Sequence, residues 1–321
     1  MTSQQDSTLQ TALSTPSSGE QPGEFGGASE SQGKQAFKRF VRSPIPMAAT
    51  IFFVLVVLTA FIAPYFYRWK FNRIDPRKDK HGHYIALSLH PGQKGHPLGT
   101  DGTGFDLLAR MMRGTQRDVI IVLLATAIAL LIGITIGALA GYFGTFVDNL
   151  LMRLVDVMLC VPVLVILIIV ASNYPGLSAI GLGLLLGLFG WMGLSRLVRA
   201  QFLALKEREF VEAAHAMGAS NFRIIFRHLI PNALSTILVF STLFAAVSII
   251  AETSLTYLGY GVHPPDTSLG LLISQGVDAA TTRPWLFYYP GILILLLVLA
   301  VNLIGEGIRN AFDPRHNRVR D

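Results

Sequence analysis

The sequence predicts an all-α integral membrane protein with six membrane-spanning helices. Hydrophobic residues make up 51% of the 321 residues and charged residues only 14%, well below the roughly 25% that is typical of soluble proteins. The few charges stand in short groups between long apolar runs. Six of these runs are close to the length of about 20 residues that a helix needs to cross the hydrocarbon core of a bilayer. Lipid is therefore the expected main solvent of this chain.

Six apolar segments are the candidate spans. They lie near 46–65, 118–142, 154–172, 178–196, 233–255 and 287–308. Residues 1–40 precede them and are rich in Ser, Gln and Gly, which predicts a disordered tail. Residues 41–117 hold the first span and a long extracytoplasmic loop. Residues 118–321 form a core with the other five spans.

Basic residues predict the orientation of the chain. Six spans place both termini on one side of the membrane, and 15 of the 26 Lys and Arg residues lie on that side. Of the other 11, ten lie in the loop from Tyr65 to Arg117. Long loops cross the membrane largely regardless of their charge, so these ten carry less weight. We therefore expect both termini in the cytoplasm.

Several classes of function lack the residues that they need. Cys160 is the only cysteine, so neither a disulfide framework nor a cysteine metal cluster can form. The basic residues flank the spans, which argues against nucleic-acid binding despite the net charge of +6. The chain has no phosphate-binding loop, so any nucleotide must bind a partner. Ser195 has no histidine in any predicted span to act as its general base, so we expect no catalytic residue.

The predicted spans are also poor in charge at the middle of the membrane. Glu252 lies about 28 Å along its helix from Ala233, close to the far interface. Carriers driven by ion gradients generally need acidic or histidine residues at depth. The energy for transport should therefore come from a source outside these spans. The alternative is a channel or a secondary carrier that works without ATP.

The connection between the fourth and fifth predicted spans, about 206–231, predicts a helix–turn–helix that projects into water. Four residues follow helical spacing on one face: Phe210, Ala213, Ala214 and Met217. Gly218 suits the left-handed end of that helix, Ser220 can cap the next one, and Pro231 can open the fifth span. This pattern fits insertion into a cleft of another protein, and it fits a plain connector equally well.

The same segment resembles the EAA loop of ABC importer permeases, the element that docks on the ATPase subunits. The matching residues are Glu212, Ala213, Ala214, Gly218 and Pro231. His228 departs from the isoleucine that is usual in the family. Three further stretches are similar to the C-type permeases of dipeptide and oligopeptide importers, a family that also includes nickel importers: 98–110, 251–265 and 302–315. The resemblance covers roughly residues 40–316.

This resemblance implies a type I ABC importer permease fold with cytoplasmic coupling helices, in a bacterial inner membrane. It implies four partners, namely a homologous B-type permease in a heterodimer, two P-loop ATPase subunits, and an extracytoplasmic or lipid-anchored substrate-binding protein. The ATPase subunits would use ATP and Mg, and this chain would bind no cofactor. The five matching residues of the EAA segment would carry coupling. Di- or oligopeptides are the implied substrate, with nickel or another small solute as the alternative.

A pathway for peptides should be neutral and mildly polar, because peptides expose many backbone donors and acceptors. The candidate lining residues are hydroxyls of the second and fifth spans: Thr126, Thr135, Ser241, Thr242 and Ser248. Small residues recur at every fourth position of the second span, which allows another helix to approach closely: Ala125, Ala129, Gly133, Gly137 and Gly141. The long loop also holds four histidines, His81, His83, His90 and His96. They lack acidic partners at ligand spacing, so we expect no metal site.

Overall fold

The computed structural model describes residues 32–174 and 176–312. The secondary structure of these residues is helical, apart from three isolated β-bridges around the long loop. A first helix, α1, covers Gln32–Arg42. Disorder was predicted for residues 1–40, but the chain is helical from Gln32 onward. Residues 1–31 of that prediction lie outside the described residues.

Four helices are long and apolar enough to cross a membrane. They are α2 Pro44–Phe66, α3 Leu107–Phe143, α10 Ile230–Tyr257 and α12 Trp285–Phe312. Two bent pairs of helices meet the same criterion together. In the first pair α4 Thr145–Cys160 meets α5 Val163–Asn173 at 76°, and in the second α6 Ala179–Leu188 meets α7 Met192–Lys206 at 46°. Counting each pair as one span, the described residues hold the six spans that the sequence predicts.

The first bend has a local cause, and a close contact from α10 lies at the second. Pro162 cannot donate a backbone hydrogen bond and disfavours helical backbone at the residue before it. Val161 is accordingly extended, with φ −92° and ψ 130°. Gly190 lies between α6 and α7, where the ring of Phe244 packs so closely that a Cβ on Gly190 would lie 2.1 Å from Phe244 Cζ. The third and fourth spans are therefore broken helices rather than straight rods.

The helix α3 lies at the centre of the bundle and contacts α2, α4, α6, α7, α10 and the short helix α11, which covers Leu269–Gly276. Its predicted stripe of small residues is buried against α6 and α7. A Cβ on Gly137 would lie 2.5 Å from Ser195 O, and a Cβ on Gly141 would lie 2.6 Å from Phe202 Cβ. The two backbones therefore come as close as glycine permits.

The two ends of the bundle carry different elements. At one end, α7, α10 and α12 surround a cavity of about 520 Å³ that includes Leu197, Ser235 and Arg309 in its lining. The helix α1 contacts α12 at the same end. The opposite end carries the long loop and the short helix α11, Leu269–Gly276. The segment between α7 and α10 thus lies at the end that holds α1.

The long loop between α2 and α3 is folded around the buried His96. Its Nδ1 lies 2.7 Å from Asp106 Oδ2 and its Nε2 lies 3.3 Å from Asp75 Oδ2, and all three side chains are at most 1% exposed. Asp106 also caps α3 by accepting a hydrogen bond from Ala109 N at 2.7 Å. Burial opposes ionisation of Asp75, but hydrogen bonds from Arg77 and His96 lower the pKa of Asp75 to about 2. These contacts order the loop against the start of α3.

Candidate functional site

Two short helices joined by a left-handed glycine form the segment between α7 and α10. The helix α8 covers Glu209–Ala216 and α9 covers Asn221–Ile224. Gly218 has a φ of +77°, and no atom lies within 4 Å of the position that a Cβ would take. Backbone conformation rather than lack of space therefore favours glycine here. Ser220 Oγ accepts a hydrogen bond from Arg223 N at 3.4 Å and caps α9, as the sequence predicts.

Pro231 lies in a helix that runs on without a break. Residues Ile225–Leu229 form a π-helical turn, so that one helix extends from Asn221 to Tyr257. Proline has no N–H and its ring crowds the preceding turn. The π-helical turn lies directly before it, with Ile230 N donating to Ile225 O. Pro231 is thus in the first turn of α10, but it does not mark the start of the physical helix.

The face that α8 exposes differs from the predicted one. Val211 and Ala214 are 1% and 2% exposed and pack with Phe202 in the interior of the bundle. Glu212 and Ala213 are exposed. Helical spacing predicts Ala213 and Ala214 on one face, but Val211 and Ala214 stand three residues apart and are buried together. Ala214 therefore holds the segment to its own bundle, and Glu212 and Ala213 are free for another protein.

Large apolar side chains extend from this segment into solvent. Met217 is 81% exposed, Phe222 71% and Phe226 54%. The rings of Phe222 and Phe226 lie 4.4 Å apart between centroids, so they form one patch. A cluster of exposed apolar side chains beside the acidic residue Glu212 is typical of a protein interaction surface.

One tyrosine connects this segment to the central helix. Tyr142, near the end of α3, donates a hydrogen bond from its hydroxyl to Asn221 Oδ1 at 2.8 Å. Its ring also stacks with that of His215, with 6.4 Å between centroids. Both short helices are therefore in contact with α3, so a displacement of the segment acts on the helix at the centre of the bundle.

Three of the five hydroxyl residues predicted for the pathway line one cavity. Thr126, Ser241 and Thr242 border a space of about 240 Å³ between α2, α3, α10 and α12, whose other walls are mainly apolar. Ser248 is 2% exposed and donates to the carbonyl four residues earlier. Thr135 lies on an exposed face of α3 and donates in the same way. The predicted set therefore divides between a cavity, the packed interior and an outer face.

Thr126 differs from the other hydroxyls of this cavity. Ser241 and Thr242 donate to carbonyls of their own helix at 2.7 and 2.9 Å. The Oγ1 of Thr126 is buried and has no hydrogen-bond partner among the described residues. Since buried hydroxyls are normally paired, Thr126 offers a free polar group at this wall.

The sequence did not predict a pair of buried carboxyl groups at the end of the bundle that carries the long loop. Asp118 on α3 is 3% exposed, and Glu252 on α10 is fully buried. Asp118 Oδ2 accepts a hydrogen bond from Leu269 N, the first residue of α11, at 3.2 Å. Glu252 Oε1 accepts one from Thr256 Oγ1 at 2.8 Å. Glu252 is near the far end of its helix, as expected, but it lies in a packed junction rather than at an open boundary.

The part of the chain that the structure describes gives little support to catalysis by Ser195 or to a metal site at the loop histidines. Ser195 is buried and donates to Met192 O at 2.7 Å. His96 is enclosed by two carboxylates, whereas His81 and His83 are exposed. Within residues 32–174 and 176–312, no group of three or more His, Cys, Asp and Glu residues could hold a metal ion.

The helical bundle, with its exposed segment between α7 and α10, is that of a class of protein, the membrane subunits of importers that work with a binding protein. The chain belongs to the family of binding-protein-dependent transport system inner membrane components, whose model matches residues 133–318. A second family model, the N-terminal TM domain of oligopeptide transport permease C, matches residues 31–89. The chain is therefore a transport permease and not an enzyme, and the family implies ATPase and substrate-binding partners.

Named relatives match most of the chain. It is 39% identical over 284 residues to the oligopeptide transport system permease protein OppC of Mycobacterium bovis, covering 88% of this chain and 94% of the relative. OppC of Bacillus subtilis is 35% identical, with 88% and 89% covered. The glutathione transport system permease protein GsiD of Pectobacterium atrosepticum is 31% identical, with 88% and 91% covered.

A solved structure shares the fold. It is an inward-facing conformation of the MetNI methionine ABC transporter, with a TM-score of 0.52 and 20% identity, covering 64% of this chain and 96% of that one. The fold is that of a type I ABC importer permease, which confirms the fold that the sequence resemblance implied.

Proposed function

We propose that this chain is one of two transmembrane subunits of an ATP-driven importer of di- and oligopeptides. The observation that supports this substrate class most directly is the match to oligopeptide permeases along 88% of the chain. Glutathione, which the third relative is named for, is itself a small peptide. In this proposal the chain forms half of the translocation pathway beside a homologous B-type permease. Two P-loop ATPase subunits consume ATP and Mg, and a binding protein delivers the peptide.

Uptake measurements test the substrate class. Cells that express the complete importer should accumulate a labelled tripeptide, and cells that lack this chain should not. Unlabelled di- and oligopeptides should compete for uptake, while nickel should not. Nickel uptake that depends on this chain, without peptide uptake, would instead favour the small-solute alternative.

The segment between α7 and α10 is called the coupling segment below, and its exposed part is the proposed docking surface for an ATPase subunit. Glu212, Ala213 and Gly218 are exposed, and Met217 and Phe222 extend beside them. Ala214 and Pro231 would act indirectly, Ala214 by holding α8 to the bundle and Pro231 by its place in the first turn of α10. An ATP-driven movement of the ATPase pair would reach the spans through this segment as a rigid-body displacement.

Gly218→Val tests this surface. Valine resists the left-handed conformation with a cost of about 1–3 kcal/mol, so the turn between α8 and α9 should rearrange. We expect normal amounts of the assembled bundle in the membrane, because nothing packs on Gly218, and a loss of substrate-stimulated ATPase activity in the reconstituted complex. The matched control is Gly218→Asn, since asparagine tolerates this conformation. Equal stimulated activity in the two variants would contradict the proposal.

The orientation with both termini in the cytoplasm is supported by the arrangement of the bundle. The helix α1 and the last turn of α12 lie at the same end as the coupling segment. If ATPase subunits dock on that end, it must face the cytoplasm, where ATP is available.

The pathway is proposed to run past Thr126, Ser241 and Thr242 rather than past Thr135 and Ser248. Ser241→Phe would place a ring in the cavity of about 240 Å³ and narrow it, and should strongly reduce peptide uptake while the protein still reaches the membrane. Thr135→Phe adds the same ring to an exposed position of α3 and serves as the control. Full uptake in the Ser241 variant together with loss of uptake in the Thr135 variant would indicate that the pathway runs along the exposed face of α3 instead.

A further inference from the structure

The helix α1 has separate basic and apolar sides. It contains four basic residues and no acidic residue. At about 100° per residue, the basic residues occupy an arc of about 140° on the helix surface: Lys34, Lys38, Arg39 and Arg42. The opposite arc holds only apolar residues: Gly33, Ala36, Phe37, Phe40 and Val41. The helix is therefore amphipathic along its whole length.

Protein covers only part of the apolar side. Ala36 is 4% exposed, and Phe40 packs on α12, where a Cβ on Gly307 would lie 2.8 Å from Phe40 Cε2. Phe37 and Val41 stand next to this contact but remain 69% and 44% exposed within the described residues. The helix is thus attached to the bundle along one edge, with two large apolar side chains beside that edge.

The position of α1 in the chain places it at the surface of the membrane. Only Ser43 separates it from Pro44, where the first spanning helix begins. Ser43 Oγ donates to Arg39 O at 3.2 Å and so continues the hydrogen bonding of α1 up to the junction. Because α2 enters the hydrocarbon within a few residues of this point, and Phe40 packs on α12 beside it, the end of α1 that adjoins α2 lies at the depth of the lipid headgroups.

We propose that α1 is an interfacial helix that binds anionic phospholipids. Phe37 and Val41 insert at the boundary between headgroups and acyl chains, which completes the burial of the apolar side. Arg39 and Arg42, on the basic side next to the first spanning helix, face the phosphate groups of the surrounding lipids. A helix with a basic polar side and aromatic or aliphatic residues on the other is the type that lies in the membrane plane, and its net charge of +4 complements an anionic surface.

The depth of single labelled positions tests this proposal in the full chain. Cys160 is the only cysteine, so a Cys160→Ala background allows one spin label at a time. We would place the label at Phe37→Cys on the apolar side or at Gln35→Cys on the basic side, in nanodiscs of phosphatidylcholine with phosphatidylglycerol. The label at position 37 should collide with oxygen, which concentrates in lipid, and that at position 35 with a water-soluble nickel chelate.

Two results would overturn insertion into lipid. A label at position 37 that meets the nickel chelate as often as one at position 35 would place both in water. A label at position 37 that is shielded from both reagents would show that protein covers this side, either another part of this chain or a second subunit.

Charge variants test the preference for anionic lipid. Arg39→Gln with Arg42→Gln should lower the ratio of lipid-immersed to water-exposed label at position 37 by about fivefold per charge, since each basic residue near an anionic surface contributes about 1 kcal/mol. Arg153→Gln, an exposed basic residue of α4, is the control and should leave the ratio unchanged. An equal ratio in nanodiscs with and without phosphatidylglycerol would refute binding of anionic lipid.

Discussion

Gly137 is the position at which the contact between α3 and α7 can be tested most sharply. A Cβ there would lie 2.5 Å from Ser195 O and 2.8 Å from Val198 Cβ. Ordinary contacts between heavy atoms are about 3.5–4.0 Å, so Gly137→Ala requires the two helices to separate by about 1 Å. The opposing atoms are a backbone carbonyl and the branched carbon of a buried valine, and neither can turn aside.

The expected effect of Gly137→Ala is a loss of stability. Overpacking of this kind costs about 1–3 kcal/mol, from which the gain of alanine over glycine in a helix, about 0.5–1 kcal/mol, must be subtracted. Thermal unfolding of the purified chain in mild detergent measures the result. The midpoint should fall by about 2–4 °C for each kcal/mol that is lost.

The control is the same substitution at a glycine with space around it. Gly291 lies in α12, and the nearest atom to its added Cβ would be Ile273 Cδ1 at 4.0 Å. Gly291→Ala should therefore leave the midpoint unchanged or raise it slightly. If Gly137→Ala unfolds at the same temperature as Gly291→Ala or above it, the close approach of α3 and α7 is wrong.

Two further predictions concern the end of the bundle that carries the long loop. Asp118→Ala removes the acceptor of Leu269 N and should cost about 1–3 kcal/mol in the same detergent assay, whereas Asp118→Asn keeps a carbonyl oxygen and should cost less; equal losses would speak against this hydrogen bond. Asp75 has a pKa of about 2, below its ordinary value of 3.8, so its stabilising contribution is complete above about pH 4 and is lost as the pH falls through 2. Cleavage of the long loop by pepsin should therefore accelerate between about pH 4 and 2, and Arg77→Gln should be cleaved readily already at pH 4. A wild-type rate that does not rise in this window would contradict the assignment.

The number and order of the spans could be predicted from sequence because a long apolar run has few alternatives to a membrane helix. Their limits could not. The second span was predicted to begin at residue 118, but α3 begins at Leu107. Asp106 caps the helix there, and the added turns contain Arg110 and Arg113, whose charge hides them from a hydropathy pattern. Bend angles were equally inaccessible, since Pro162 predicts a break but not a turn of 76°.

In the coupling segment, the turn and the helix cap could be predicted from local signals, whereas the buried face of α8 could not. Gly218 and Ser220 act through their own backbone neighbourhood, so their roles could be predicted from residue type and spacing. The burial of Ala214 depends on what packs against α8, and helical spacing alone allowed it to share a face with Ala213.

Long-range contacts explain why the buried polar groups near the long loop could not be predicted from the sequence. Asp75 and His96 are 21 residues apart, and Asp118 meets the backbone of Leu269 across 151 residues. No periodic pattern relates such positions. The run of hydroxyl residues after Glu252, which includes Thr256, was the only local hint that this carboxyl group has partners inside the protein.

The helix from Asn221 to Tyr257 is unbroken, so the fifth span can tilt as one rigid rod. Its 37 residues extend over about 55 Å at 1.5 Å per residue. One end bears the exposed ring of Phe222, and the other end bears the buried carboxyl group of Glu252. If such a rod tilts by about 10° around its midpoint, its ends swing by about 5 Å in opposite directions. A displacement of the end that bears Phe222 would therefore move the end that bears Glu252 in the opposite direction, with no chain of small rearrangements between them.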